Sequence, residues 1–189
     1  MIRLCSSSPT RAKILSNFGI EFIQSSIEFN EEEVIDSRAK GFVWQVIKGK
    51  KDVALKNYSL DMPLLVADTV IEDFEGKILR KAKNIDDAKD ILLRQSGKSI
   101  SIISGVILKV KDYEFVDISN TTYIFEEFDN ADLDKYLESL EWQGKAGACM
   151  VEGFCKKYIK KSIGLESTAM GLQVEKIAPW IDFEKSRYG

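Results

Sequence analysis

Pro63–Ala67 is a short apolar run, broken by Asp68 and Thr69 and resumed by Val70 and Ile71. A run of this kind reads as a buried strand that delivers polar side chains at its end. Two longer β-rich stretches, Ile100–Lys109 and Tyr113–Phe125, are set to pair through a turn near Lys111 and Asp112. Between and around them the pattern turns helical, so strands and helices alternate irregularly. That is the signature of an α/β fold with a mixed sheet.

The flanking elements follow from local chemistry. Ile2–Ser6 is a short opening strand, and Ser8 caps a helix that begins at Pro9, carries Ala12, Leu15 and Phe18 near one face, and stops at Gly19. Ile20–Gln24 is a second strand, Glu28–Asp36 an acidic loop, and Arg38–Tyr58 a lysine-rich helix. Glu75-Gly76-Lys77 makes a hairpin turn. Asn84 caps a helix with Asp86 and Asp87 in its first turn, where the helix dipole favours them, and Gly97 ends it. Leu133, Tyr136, Leu137 and Leu140 mark another helix face, and Gly144–Gly153 is a glycine-rich loop built for close approach.

Length and composition limit the function. At 189 residues with 44% apolar and 30% charged, the chain is one globular domain, or two lobes sharing a core. A net charge of −3 gives no general attraction to a nucleic acid polymer or an anionic membrane, so any phosphate site must be a local concentration of positive charge. No apolar run reaches membrane-spanning length and the start does not read as a signal peptide, which points to the cytoplasm. Cys5, Cys149 and Cys155 lack metal-ligand spacing and read as reduced packing thiols. The chain contains no histidine, which excludes a Ser-His-Asp triad, a Cys-His pair and a His-ligated zinc. Acid–base work then falls to Asp, Glu, Lys or water, and a metal would be held by oxygens, which favours magnesium or manganese.

Ser6-Ser7-Ser8-Pro9 followed by Arg11 joins a strand end to a helix start, where backbone N–H groups and hydroxyls can meet an anion. Alone, the segment reads first as a serine-rich cap with a surface arginine. Asp68 is either a carboxylate at a ligand crevice or a turn residue bonded to its own backbone. Lys81 lies between Arg80 and Lys83 in what is otherwise a solvated basic loop, Lys50 on a solvent-facing helix, and Glu31 in an acidic loop. Together they supply what phosphoryl chemistry needs: cations for the phosphates, carboxylates for a metal, and one carboxylate to direct water.

These residues carry a resemblance. The chain resembles the Maf family of nucleotide pyrophosphatases over most of its length. The family's opening S-x-S-P-R-R is met by Ser6, Ser8, Pro9 and Arg11, its D-x-D-E loosely by Glu28-Phe29-Asn30-Glu31, and its helical lysine by Lys50. Its A-D-T-V is complete in Ala67-Asp68-Thr69-Val70, and G-x-I-L-x-K-P runs as Gly76–Ala82 with Lys81 on the lysine. S-G-R runs as Ser96-Gly97-Lys98, K-A-G-A is complete in Lys145–Ala148, its trailing glutamine-glycine becomes Glu152-Gly153, and the final G-L-P becomes Gly171-Leu172-Gln173. Thr10 stands where the family has its first arginine, Ala82 replaces proline, Gly144 replaces an aspartate, and Ile100 lies near a common histidine.

The resemblance implies a single Maf-like domain over residues 1–189. Its fold would be an elongated, twisted mixed sheet flanked by helices, with two lobes and a central cleft, of the kind shared by Maf and inosine triphosphatase enzymes. It implies hydrolysis of a nucleoside triphosphate to the monophosphate and pyrophosphate with a divalent magnesium or manganese ion. Asp68 would be the catalytic base and, with Glu31, hold the metal. Ser6, Arg11, Lys50 and Lys81 would bind the phosphates, and Thr10, Thr69 and Glu152 would set base preference. The alternatives are a nucleotide-binding regulator of cell division with little turnover, and a phosphohydrolase that releases orthophosphate. A homodimer is common among small enzymes, and no residue marks one.

Overall fold

The computed structural model describes residues 1–36 and 38–188. Its seven strands form one sheet in the order β2 (Phe22–Ser25), β1 (Ile2–Cys5), β3 (Leu64–Glu72), β5 (Ser99–Lys109), β6 (Glu114–Phe125), β7 (Ile159–Ile163), with β4 (Ile78–Leu79) paired to the far end of β3. β1 is parallel to β2 and β3, and every other pairing is antiparallel, so the sheet is mixed as expected. Six helices flank it among the described residues: α1 (Pro9–Asn17), α2 (Ala39–Asn57), α3 (Ile85–Gln95), α4 (Asn130–Ser139), α5 (Glu166–Ala169) and α6 (Val174–Tyr188). No helix among these residues is long and apolar enough to cross a membrane.

The local signals work as the chemistry requires. Ser8 Oγ accepts the Arg11 N–H at 3.4 Å with Pro9 opening α1, and Asn84 Oδ1 accepts the Asp87 N–H at 2.8 Å to cap α3. β5 and β6 run in unbroken register from Ser99↔Ile124 to Lys109↔Glu114, closed where the Val110 N–H donates to Tyr113 O. Within the acidic loop, Glu31–Glu33 forms a single 3-10 turn capped by Asn30. After Gly153, β7, α5 and α6 complete the fold without a counterpart in the pattern reading.

One expectation needs correction. The strand carrying Asp68 does not end at Ala67. It continues to Glu72, because Val70 and Ile71 resume the alternation and pair with Ile103 and Ile102 of β5. Asp68 and Thr69 are therefore mid-strand residues. The crevice opens beside them because β1 pairs with β3 only as far as Leu65, and β4 joins the same strand only at Ile71. Between those points no described strand covers the edge of β3.

Side-chain alternation along β3 divides the interior. Leu64, Val66 and Val70 pack with α2 through Val43, Val46 and Ile47, and Asp68 shares their parity. Leu65 and Ala67 face α1 and α6 through Leu15, Ile177 and Ile181. Ile71 belongs to a third cluster at the other end of the long strands, built from α3, α4 and the 142–159 segment around Leu92, Leu133 and Trp142. Burying each such side chain contributes on the order of 1.5–3 kcal/mol. α2 lies close on the sheet because Gly105 of β5 has no side chain: a Cβ there would stand 2.4 Å from Val43 Cγ1.

Candidate active site

The uncovered stretch of β3 forms the floor of a cleft of about 550 Å³. Every site residue expected from the sequence lines it: Ser6, Thr10, Arg11, Glu31, Lys50, Asp68, Thr69, Lys81 and Glu152. Lys83, two residues beyond Lys81, does not. The charged lining is Arg11, Lys50, Lys81 and Lys145 against Glu31, Asp68 and Glu152, a local positive excess on a chain whose net charge is −3.

The first wall is the turn between β1 and α1. Ser6 is buried, and its Oγ accepts the Ser8 N–H at 3.2 Å and Arg11 Nη1 at 3.1 Å. Gln24 Nε2 donates to the carbonyls of Ser6 at 2.8 Å and Ser8 at 3.2 Å, which ties β2 to the turn. Arg11 Nε donates to Gly171 O at 2.9 Å and Nη2 to Thr69 Oγ1 at 3.2 Å. Three of its five N–H groups are thereby used, leaving one on each terminal nitrogen for an anion. Burial pulls the Arg11 pKa down, against the charges of Asp68 and Glu31 that support it. A buried guanidinium with spare donors favours an anionic ligand.

At the floor, Lys50 Nζ on α2 donates to Glu31 Oε1 at 2.6 Å and to Asp68 Oδ1 at 2.7 Å. Glu31 reaches it because Phe29 packs on Gly49, where an added Cβ would lie 2.2 Å from the ring. The trio carries one negative charge in excess. Burial raises the Asp68 pKa, with the Glu31 charge adding to the effect and Lys50 only partly offsetting it. Burial also pushes Glu31 up, but Lys50, Lys81 and Arg11 outweigh it and hold that carboxyl below its ordinary range. Asp68 Oδ2 is buried with no hydrogen-bond partner. One carboxylate is thus held ionised and the other is primed to take a proton or a cation.

The far wall is the glycine-rich loop. Lys81 bridges Ala146, the Gly147 N–H donates to Arg80 O at 3.1 Å, and Gln95 Nε2 donates to Gly147 O at 2.7 Å. Gly147 has φ +58°, a region that suits glycine, and the loop carries Ala148 at φ 50°, whose carbonyl accepts Tyr136 Oη at 3.0 Å. On this loop Lys145 Nζ sits 3.8 Å from Glu152 Oε1. Lys145 was legible as part of K-A-G-A but carried no assigned role. Cys149 and Cys155 are free, buried thiols with their sulfurs 3.1 Å apart, consistent with packing residues.

A cationic cleft on the edge of a mixed α/β sheet, with paired carboxylates at its floor, is a site for polyphosphate chemistry. The chain belongs to the Maf family: the Maf-like protein family model matches residues 1–182. A nucleoside triphosphate pyrophosphatase of a Nitratiruptor species is 52% identical over 180 residues, spanning 94% of this chain and 97% of that protein. The nucleoside triphosphate pyrophosphatase of Helicobacter pylori is 36% identical over 172 residues, 91% of this chain and 90% of its own. That of Campylobacter jejuni subsp. jejuni is 33% identical over 184 residues, 96% of this chain and all of its own.

Proposed function

We propose that the chain hydrolyses nucleoside triphosphates to the nucleoside monophosphate and pyrophosphate. The observation that carries this reading is the Glu31–Lys50–Asp68 trio, with an unpartnered Asp68 oxygen, set in one cleft with Arg11 and Lys81. The names of the relatives support the same activity.

In this mechanism Arg11 and Ser6 hold phosphate oxygens at one wall and Lys81 neutralises them from the other. Asp68 takes a proton from the attacking water at Oδ2, the oxygen that Lys50 leaves free. Its raised pKa makes it a stronger base than an exposed aspartate. Water attacks the α-phosphorus, the bond to the bridging oxygen breaks, and pyrophosphate leaves with its charge offset by the lysines. The carboxylates of Glu31 and Asp68 fit a magnesium or manganese ion, since both are hard oxygen donors and one oxygen is orphaned by burial. When bound, the ion supplies charge neutralisation at the phosphates. Thr10, Thr69 and Glu152 shape the choice of base.

The test is a nucleotide panel with magnesium or manganese, scored for products. Monophosphate and pyrophosphate in equal amounts are expected. Orthophosphate release, or tight binding without turnover, would overturn the reading.

A further inference from the structure

We infer that Ser104, which lies outside the cleft, is a positioning residue that fixes Arg11 by setting the direction of a chain of hydroxyl hydrogen bonds. The register of β3 on β5 places Thr69 directly opposite Ser104. Ser104 is fully buried, and its Oγ lies 2.7 Å from Thr168 O and 2.8 Å from Thr69 Oγ1. A carbonyl oxygen can only accept, so Ser104 donates its single proton to Thr168. Toward Thr69 it must then accept, which makes Thr69 the donor. Thr69 has spent its proton and presents only lone pairs to Arg11 Nη2 at 3.2 Å. An arginine has only donors, so the match is complete and no other polarity satisfies all three links.

The chain closes on itself. Thr168 belongs to the same short segment as Gly171, whose carbonyl accepts Arg11 Nε at 2.9 Å. Gln173 Nε2 secures that segment to β5 by donating to Ser104 O at 3.0 Å. Arg11 is therefore gripped from two sides by one ring of bonds whose inner corner is Ser104. Removing that hydroxyl leaves Thr168 O without this donor and frees the Thr69 proton to turn toward Arg11, where it repels rather than accepts. Position 104 thus acts on phosphate binding without touching the phosphate.

The inference rests on Arg11 being a phosphate ligand, and its test separates the two ideas. The affinity of inorganic tripolyphosphate is measured by calorimetry for the wild type, Ser104→Ala, Arg11→Ala and the double variant. Pyrophosphate release from a nucleoside triphosphate is followed in parallel. Ser104→Ala is expected to weaken tripolyphosphate by roughly tenfold alone, the worth of one hydrogen bond to a charged group. In the Arg11→Ala background it should change affinity less than about twofold, because coupled sites do not add. Its effect on turnover should fall mainly on KM. Equal weakening in both backgrounds, or none in the first, overturns the inference. If Ser104→Ala does not fold, Ser104→Cys keeps the side chain's size but is a much weaker donor and acceptor at the same place, and the same non-additivity with Arg11→Ala decides. A wild type that releases no pyrophosphate sinks the proposed activity, while the binding cycle still decides the role of Ser104.

Discussion

Asp68 holds two opposed demands in one side chain. Its Oδ1 is bound by Lys50, and its Oδ2 is buried without a partner. Burial raises its pKa, so between the unfolded value of about 3.9 and the higher native value the folded state binds the extra proton. The stability due to this proton is full below that window and is lost as pH rises through the native pKa. Without divalent metal, Asp68→Asn is therefore expected to flatten the decline of thermal midpoint with rising pH, leaving the fold intact at neutrality. The same variant removes the base, and turnover should fall on the order of a hundredfold or more. Thermal scans in chelator from acid to neutral pH, with assays at saturating metal, check both. A variant with near-normal turnover removes Asp68 from the mechanism. A midpoint that tracks the wild type across the range removes the burial argument.

The elements show why this residue was easy to find and its setting was not. Ala67-Asp68-Thr69-Val70 stands out in the sequence because two polar residues interrupt an apolar run. That interruption also made the strand look finished, and only pairing with β5 reveals that it continues. The gap beside Asp68 depends on where β1 and β4 stop, which is a matter of partner length and invisible in β3 itself. α6 was similarly hidden, since Pro179 lies inside it and weakens the helical signal. Gly105 sets how closely α2 approaches, and α2 carries Lys50. Gly105→Ala puts a Cβ within 2.4 Å of Val43 Cγ1 and 3.0 Å of Ile47 Cδ1. Such overpacking costs about 1–3 kcal/mol, so the variant should unfold at lower denaturant with unchanged m value. Because the strain lifts the helix that carries Lys50, kcat should fall as well. Loss of stability with full kcat would show that α2 relaxes without moving its lysine.

At the scale of the molecule, the cleft joins pieces of chain that the sequence separates widely: the opening turn, the acidic loop, α2, mid-β3 and the loop from Gln143 to Glu152. Ordered motif blocks made that convergence legible through resemblance, but the hydrogen-bond partners inside it were not. Thr69 read as a base-contacting residue, yet its hydroxyl is engaged by Arg11 and Ser104. It can offer a base only a remaining lone pair. Glu152 likewise accepts and cannot donate while ionised. A donor on the far wall, Lys145, lies 3.8 Å from Glu152, so acceptor and donor stand side by side. Guanine sets two adjacent N–H donors beside one carbonyl, which suits a carboxylate beside an ammonium. A uracil or thymine edge sets one N–H between two carbonyls, and Glu152 would repel the second. A cationic methylated guanine would be favoured further by the negative charge. The chain is therefore expected not to be a strict pyrimidine enzyme, and Glu152→Gln, which both donates and accepts, should shift preference toward UTP and dTTP. The measurement is kcat/KM for UTP, dTTP, GTP and methylated GTP on both proteins, and a shift of about tenfold corresponds to one hydrogen bond gained or lost. Strong selectivity for UTP and dTTP in the wild type, unchanged in Glu152→Gln, would place base choice elsewhere in the cleft, with Thr69 the first residue to replace.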